Sequence, residues 1–260
     1  MSTKDNKGTA VITGASSGIG AVYADRLAGQ GYDLVLVARR ADRLQEVADR
    51  LAYAYGRKVK TIVADLSVDA DLRRVEQAVA TDDSVTLLIN NAGVSVISRG
   101  DPLDVTEESY DRCQAINTKA QFFLSQRWAR RLLARERDDD RFYSLINVSS
   151  SNATAVAEPR AEYCVSKAGS AMVSQIFAVR LGRENIAVYD IRPGLIETAM
   201  TKAVSETYQR RIDQEGLTLI RRLGKPEDVG RVMATLATGE LPYTTGHVIA
   251  VDAGMLVPRF

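Results

Sequence analysis

The sequence contains few of the residues that bind metals or form disulfides. Its 260 residues include two cysteines, Cys113 and Cys164, and a single histidine, His247. The cysteines lack the CxxC spacing of metal and redox sites, so we interpret them as small hydrophobic side chains. No cluster of histidine, cysteine and acidic residues indicates a metal. A chain of this length can bury a substantial core without a structural metal.

An excess of charge of one sign is also absent. The 34 basic and 33 acidic residues give a net charge of +1, which favours neither nucleic acid nor an anionic membrane as a partner. No run approaches the roughly 18 apolar residues of a membrane span. The N-terminal segment 1–8 is polar and has no apolar signal region. We therefore expect a cytoplasmic protein with no membrane partner.

Short apolar runs alternate with longer segments of helical periodicity. Continuous apolar runs are typical of strands covered on both faces, and βαβα alternation indicates a parallel sheet with helices on both sides. We predict an α/β fold in which residues 1–260 form a single doubly wound Rossmann domain with a seven-stranded parallel sheet. The predicted strands are 9–13, 33–38, 59–64, 85–90, 143–148, 186–191 and 247–252.

The segment 195–224 interrupts this alternation, because it has helical character but contains no strand-like run. Ligands of open α/β sheets bind outside the carboxyl ends of the strands. An insertion after a strand therefore lies over the ligand crevice. We expect 195–224 to form a substrate lid, with simple surface packing as the alternative.

A glycine-rich stretch, TGASSGIG at 13–20, follows the first predicted strand and opens a helix. Its glycines, Gly14, Gly18 and Gly20, are spaced GxxxGxG rather than the GxGxxG of the standard fingerprint. Glycines let the backbone approach a pyrophosphate, and a helix N-terminus offers free N–H groups. Any tight strand–helix loop can contain glycine, so the position after the first strand gives this stretch its meaning as a dinucleotide turn.

The end of the second predicted strand indicates which dinucleotide binds. An acidic residue there would accept from the ribose hydroxyls of the adenosine, but the chain reads LVLVARR, ending in Ala38, Arg39 and Arg40. Guanidinium groups bind phosphate through paired hydrogen bonds. We therefore predict NADP(H) in preference to NAD(H). The alternative is that both arginines merely begin a solvated helix.

The stretch EYCVSK at 162–167 places Tyr163 four residues before Lys167. Residues i and i+4 share one face of a helix, and a nearby positive charge favours the ionised form of a phenol. An unperturbed tyrosine has a pKa of about 10. We expect Lys167 to lower the pKa of Tyr163, which would make the phenol an effective general acid.

The motifs, taken in order, resemble those of the short-chain dehydrogenase/reductase family over nearly the whole chain. Besides the glycine turn and YxxxK, they are AD at 64–65, NNAG at 90–93, INVSSS at 146–151 and RPG at 192–194. The resemblance implies four catalytic residues, Asn117, Ser150, Tyr163 and Lys167. It implies cofactor contacts from Gly14, Ser16, Ser17, Gly18, Ile19, Gly20, Arg39, Arg40, Asp65, Leu66, Asn91, Ala92, Gly93, Tyr163, Lys167, Pro193, Gly194, Ile196 and Thr198.

The resemblance also implies the roles of these residues. Tyr163 would give a proton to a carbonyl oxygen, Ser150 would donate to the same oxygen, and Asn117 would hold a water connecting Lys167 to solvent. Asp65 would lie near the adenine amine. One departure is Ser17, where many NADP-using relatives have lysine or arginine, and this removes one phosphate contact.

The function implied is NADPH-dependent reduction of a ketone, either a 3-oxoacyl thioester or another small carbonyl compound, to a secondary alcohol. The C-terminal half resembles 3-oxoacyl-carrier-protein reductases. Two alternatives are an NAD-linked secondary-alcohol dehydrogenase and a non-catalytic dinucleotide-binding regulator, and a scaffolding subunit is a third. The two long predicted helices, 106–134 and 161–182, resemble those through which the family forms homotetramers or homodimers.

The substrate is the least determined feature of the sequence. The segment 152–157, NATAVA, is small and apolar, which suggests an uncharged or weakly polar ketone. Arg99, Arg160 and the pair at 210–211 are interpreted either as contacts for an acyl-carrier phosphopantetheine or as plain surface residues.

Overall fold

A seven-stranded parallel sheet forms the centre of the molecule. The computed structural model describes residues 7–259, so most of the polar N-terminal segment and the ends of the predicted domain lie outside it. The strand order is β3-β2-β1-β4-β5-β6-β7, which confirms the predicted doubly wound fold. The strands are β1 Thr9–Thr13, β2 Asp33–Ala38, β3 Val59–Val63, β4 Val85–Asn90, β5 Ser144–Val148, β6 Ala187–Pro193 and β7 Val248–Val251.

Helices cover both faces of this sheet. Apolar side chains of α1, α2 and α8 pack against one face, and those of α3, α5 and α6 pack against the other. The helices are α1 Gly18–Gly29, α2 Ala41–Tyr55, α3 Asp69–Thr81, α4 Glu107–Gln114, α5 Gln121–Leu133, α6 Ala161–Gly182, α7 Ser205–Glu215 and α8 Pro226–Leu236. A π-helical segment, Ala115–Ala120, joins α4 to α5, so the predicted long helix is continuous but irregular in its middle.

The two-sided cover explains why the strands read as uninterrupted apolar runs. In β1, Ala10 and Ile12 contribute to the core on one face, whereas Val11 contributes to the core on the other. Successive side chains of a strand point to opposite faces, so both sets must be apolar. The single tryptophan, Trp128 on α5, is almost completely buried.

From β1, the chain continues to β2 and β3 on one side of the sheet and then crosses to β4 on the other side of β1. Loops that leave the carboxyl ends of β1 and β4 therefore diverge to opposite faces and leave a crevice between them. The NNAG loop, Ser150 and Gly194 lie at the carboxyl ends of β4, β5 and β6. Among residues 7–259, none of the helices combines the length and hydropathy needed to cross a membrane.

The core positions predict a clear contrast in stability. Leu36 in β2 is completely buried, whereas Leu103 is 91% exposed. Leu36→Ala should lower the free energy of unfolding by about 2–5 kcal/mol, because it removes apolar contacts and leaves a cavity. Leu103→Ala, the matched control, should change it by less than about 0.5 kcal/mol. Urea unfolding of both variants measures the difference, and equal losses would contradict the packing described.

Candidate active site

A cavity of about 1220 Å³ opens at the carboxyl ends of the strands. All nineteen residues predicted to contact the cofactor line it, from Gly14 in the first turn to Thr198 after β6. Ser150 lines it as well, so three of the four predicted catalytic residues face one cavity. Asn117 does not line the cavity and is 1% exposed. Residues distant in the sequence therefore come together as a single site.

The glycine turn at the start of α1 has a backbone conformation that depends on glycine. Gly14 and Gly18 have φ values of +71° and +55°, in the left-handed region that favours glycine. A Cβ atom on Gly20 would lie 2.2 Å from the carbonyl oxygen of Gly14, so a side chain is excluded there. Ser17, the N-cap of α1, forms no side-chain capping hydrogen bond. The open helix end therefore fits an anionic group of a dinucleotide.

Thr13, a residue that the sequence did not mark as functional, ties this turn to the NNAG motif. Its Oγ1 accepts hydrogen bonds from the backbone N–H groups of Asn91 and Ala92, both at 3.0 Å. The Asn91 side chain donates in return to the carbonyl oxygen of Thr13 at 2.9 Å. The signal that could have identified Thr13 is a hydroxyl side chain at the end of a buried strand, next to a second loop whose backbone N–H groups need acceptors.

The two arginines after β2 have different partners. Arg40 Nη2 donates to Ser17 Oγ at 2.6 Å and to Ser16 Oγ at 3.1 Å. Arg39 forms an ion pair with Asp65, with 3.5 Å between Nη1 and Oδ2. Although partial burial acts to raise the pKa of Asp65, hydrogen bonds from Ser67 and the charge of Arg39 lower it overall. This end of the cavity thus holds two cations and one carboxylate.

Tyr163 and Lys167 lie side by side on α6, both nearly buried. Their exposures are 7% and 4%, and Lys167 Nζ is 5.8 Å from the centroid of the tyrosine ring. Lys167 Nζ donates to the carbonyl oxygen of Val148 in β5 at 2.9 Å. Ser150, two residues after that carbonyl, accepts from the backbone N–H of Asn152. The i,i+4 pair is therefore anchored against the end of β5.

Burial, rather than Lys167, has the largest effect on the phenol. It raises the pKa of Tyr163, while a hydrogen bond with Ser150 and the charge of Arg160 act in the opposite direction. Burial also lowers the pKa of Lys167 to about 8, although the nearby Asp190 acts to raise it. The prediction that Lys167 lowers the pKa of Tyr163 is therefore wrong for this structure, because the pKa is raised by burial, which outweighs the opposing effects of Ser150 and Arg160.

Asn117 lies behind the site, within the π-helical segment. Its side-chain N–H groups donate to the Val94 carbonyl oxygen and to Ser166 Oγ, and its Oδ1 accepts from the Val94 N–H at 2.9 Å. A Cβ atom on Gly93 would lie 3.2 Å from Asn117 Oδ1 and 3.4 Å from Lys167 Nζ. Asn117 therefore approaches Lys167 across Gly93, while its side chain is fully engaged with the protein.

Asp190 adds a buried carboxylate below the site, since it lies within β6 and is 3% exposed. Its carboxylate accepts from Ser149 Oγ and pairs with Arg192 Nε at 2.8 Å. Sequence alone did not reveal this, because only the parallel pairing of β5 and β6 brings Ser149 and Asp190 together.

Four comparisons relate this site to known proteins. A family model described as enoyl-(acyl carrier protein) reductase matches residues 14–256. Nodulation protein G from Rhizobium sp. (strain N33) is 31% identical over 95% of this chain and 96% of its own length. The structure of a 3-oxoacyl-[acyl-carrier protein] reductase from Brucella melitensis in complex with NAD has a TM-score of 0.89 at 32% identity, covering 97% of this chain and 98% of that one. L-sorbose reductase from Gluconobacter frateurii, complexed with NADPH and L-sorbose, has a TM-score of 0.85 at 27% identity, covering 98% of each chain.

The depressed pKa of Lys167 predicts a pH-dependent stability difference. The ordinary pKa of 10.5 falls to about 8 in the folded chain, so between these values the unfolded chain binds more protons. The contribution of Lys167 to stability therefore rises as the pH increases from about 8 to 10.5. Lys167→Met removes this gain, and its stability relative to the wild type should be greatest near pH 7.

Urea unfolding of the two proteins from pH 7 to 10 measures this difference. Lys58→Met, at an exposed lysine, controls for the loss of one surface charge. A difference between wild type and Lys167→Met that stays constant across the range would contradict the buried, destabilised ammonium.

Proposed function

The chain belongs to the short-chain dehydrogenase/reductase family of oxidoreductases, and we propose that it uses NADPH to reduce a small carbonyl compound to a secondary alcohol. The observation that carries the proposal is the convergence of Tyr163, Ser150 and Lys167 on the cavity that also contains the glycine turn. A site is recognised by such a constellation rather than by a single motif. The names of the two structural relatives, a 3-oxoacyl-[acyl-carrier protein] reductase and an L-sorbose reductase, support a carbonyl compound as the substrate class.

Each residue contributes a definite step to this reaction. Bound NADPH supplies the hydride. The Tyr163 hydroxyl gives its proton to the carbonyl oxygen, and the Ser150 hydroxyl donates a hydrogen bond to the same oxygen as negative charge develops on it. Lys167 stabilises the phenolate that remains. The low pKa of Lys167, about 8, also makes it a suitable group to return a proton to Tyr163.

Asn117 acts as a positioning residue. Its amide joins the loop after β4, through Val94, to α6, through Ser166. These bonds fix the loop after β4 next to Lys167 and hold this loop and α6, which form two walls of the cavity, at a constant distance. Both side-chain N–H groups already have protein partners, so the side chain acts by holding the loop, and it lies in a π-helical segment, a feature often found at functional sites.

The preference for NADPH rests on Arg40. Arg40 donates hydrogen bonds to Ser16 and Ser17. Its guanidinium therefore places a positive charge at the glycine turn, where the side chain of Ser17 has none. The hydroxyls and the guanidinium form a cluster of donors suited to a 2′-phosphate. Solved relatives contain NAD in one case and NADPH in another, so the choice of cofactor is argued from these residues.

The segment 195–224 is proposed as the substrate lid. Its two ends are joined by backbone hydrogen bonds, from Glu197 to Gly224 at 2.8 Å and from Gly224 to Leu195 at 2.9 Å. Between them, α7 and the turn before it line the cavity, with Met200 and Tyr208 among the contacting residues. A segment closed at its base and placed over the crevice can move without disturbing the sheet.

A homotetramer or homodimer remains part of the proposal, as does a cytoplasmic location. The support for assembly is a stripe of exposed apolar side chains on α6, the helix that carries Tyr163 and Lys167. Val165, Met172, Ile176 and Val179 are 48–67% exposed. Light scattering on the purified protein tests this directly, and a monomer would remove the assembly from the proposal.

Replacing Tyr163 tests the catalytic assignment. Tyr163→Phe should reduce kcat for ketones by at least about a hundredfold, because the proton donor is lost. Binding of NADPH, measured by calorimetry, should change little. Tyr53→Phe, at a tyrosine 94% exposed on α2, is the matched control and should keep full activity. Full turnover by Tyr163→Phe would refute the assignment.

Cofactor choice is tested by titrating the protein with NADPH and NADH. NADPH should bind at least about tenfold more tightly, since a phosphate held by guanidinium groups adds strong hydrogen bonds. Arg40→Gln should weaken NADPH binding and leave NADH binding nearly unchanged. Equal or reversed affinities of the wild type would instead support the NAD-linked alcohol dehydrogenase, and binding of neither would support the scaffolding subunit.

A further inference from the structure

Arg160 lies beside Tyr163, at the entrance to α6. Its guanidinium carbon is 5.1 Å from the centroid of the tyrosine ring, closer than the ammonium of Lys167. Arg160 Nη2 donates to Asn152 Oδ1 at 2.7 Å, and Asn152 in turn donates to the carbonyl oxygen of Ala155. Both Arg160 and Asn152 line the cavity. The guanidinium is therefore held in a fixed place on the wall next to the predicted proton donor.

The charge of Arg160 has no counterion within residues 7–259. No carboxylate lies within 4.0 Å of it, unlike Arg192, which pairs with Asp190, or Arg222, which pairs with Asp228. Its Nε is buried and has no acceptor. Arg160 is half-buried, and a cation withdrawn from water without an anionic partner is unfavourable. A group bound in the cavity can supply the missing negative charge.

The other charged side chains on this side of the cavity also leave positive charge without enough carboxylates to balance it. Arg99 also lines the cavity, and Arg99 Nη1 donates to the Tyr208 hydroxyl at 3.4 Å. Arg211 lines the cavity but is paired with Glu215. Among residues 7–259, Glu158, two residues before Arg160, is the one acidic side chain that lines this side. The local field therefore favours an anion near Tyr163.

We propose that Arg160 binds a carboxylate of the substrate, so that the preferred substrates are short 2-oxo or 3-oxo acids. This inference rests on the proposed function. With the carbonyl oxygen at the Tyr163 hydroxyl, a guanidinium whose carbon lies 5.1 Å from the centroid of the tyrosine ring is close enough to bind a carboxylate near the carbonyl of a short oxo acid. A guanidinium pairs with a carboxylate through parallel hydrogen bonds. The apolar segment 152–157, which suggested an uncharged ketone, forms the wall for the remaining carbons.

The carboxylate takes no part in the bond changes. Hydride adds to the carbonyl carbon as the C=O double bond opens, and the proton of Tyr163 adds to the oxygen. The products are a hydroxy acid and the oxidised cofactor. The role of Arg160 is therefore specificity, expressed as a preference for the acid over its neutral ester.

Two pairs of probes test this role: acetoacetate with methyl acetoacetate, and pyruvate with methyl pyruvate. With NADPH, the wild type reduces one of the two acids with the higher kcat/KM. For that acid, kcat/KM should exceed the value for its own ester by at least about tenfold, as expected for a hydrogen bond between charged groups. Arg160→Gln should lose this preference, and Arg160→Lys should retain part of it. Any general effect of Arg160 on Tyr163 alters acid and ester alike, so the ratio isolates recognition of the carboxylate.

Arg183→Gln is the matched control, because Arg183 is exposed and does not line the cavity. It should keep the wild-type ratio. If Arg160→Gln also keeps it, or if the wild type prefers the esters, the inference is overturned, while turnover of the esters preserves the proposed function.

If the wild type reduces none of the four probes, the proposed reduction of small carbonyls fails for this class. Calorimetry of acetoacetate with NADPH-saturated protein then decides the inference separately. Binding that is lost in Arg160→Gln and kept in Arg183→Gln supports it. No binding to the wild type overturns it.

Discussion

The hydroxyl of Thr13 joins the two loops on which the whole site depends. The loops after β1 and β4 run to opposite faces of the sheet, which opens a crevice between them but does not by itself fix its width. By accepting from Asn91 and Ala92, one side chain sets the distance between the glycine turn and the NNAG loop. The end of the cavity that fits a dinucleotide is thus shaped by a bond within the scaffold, before any ligand is present.

Polar side chains hold the second half of the site in the same way. Beneath the cavity, Asn90 donates to Ser125 on α5 and to Asn147 in β5, and Asn147 donates to Ser174 on α6. Apolar packing alone allows helices to slide by small distances at little cost, whereas a connected buried network specifies one arrangement. Since α6 carries Tyr163 and Lys167, this network helps to define where both side chains stand relative to the sheet.

Much of this arrangement could be predicted from the sequence, and the exceptions share a physical cause. Strand positions followed from continuous apolar runs, and the glycine turn followed from its position directly after the first strand, because both are local properties. The partners of Asp190 and the ionisation of Lys167 depend on burial, which arises only when distant segments pack. The same holds for Arg160: its position beside Tyr163 is visible in the sequence, but the absence of a nearby carboxylate in the described structure is not.

The backbone hydrogen bonds that close the base of 195–224 also allow this segment to change in evolution independently of the sheet. The segment leaves the scaffold after β6 and returns before α8 at points joined to each other. The entropy of closing such a loop grows only slowly with its length. Insertions, deletions or wholesale exchange between these points would therefore alter the wall of the cavity with little effect on the sheet. In this architecture the proton donor and the dinucleotide turn can stay constant while the loop diversifies, which allows one scaffold to acquire new specificities in small steps.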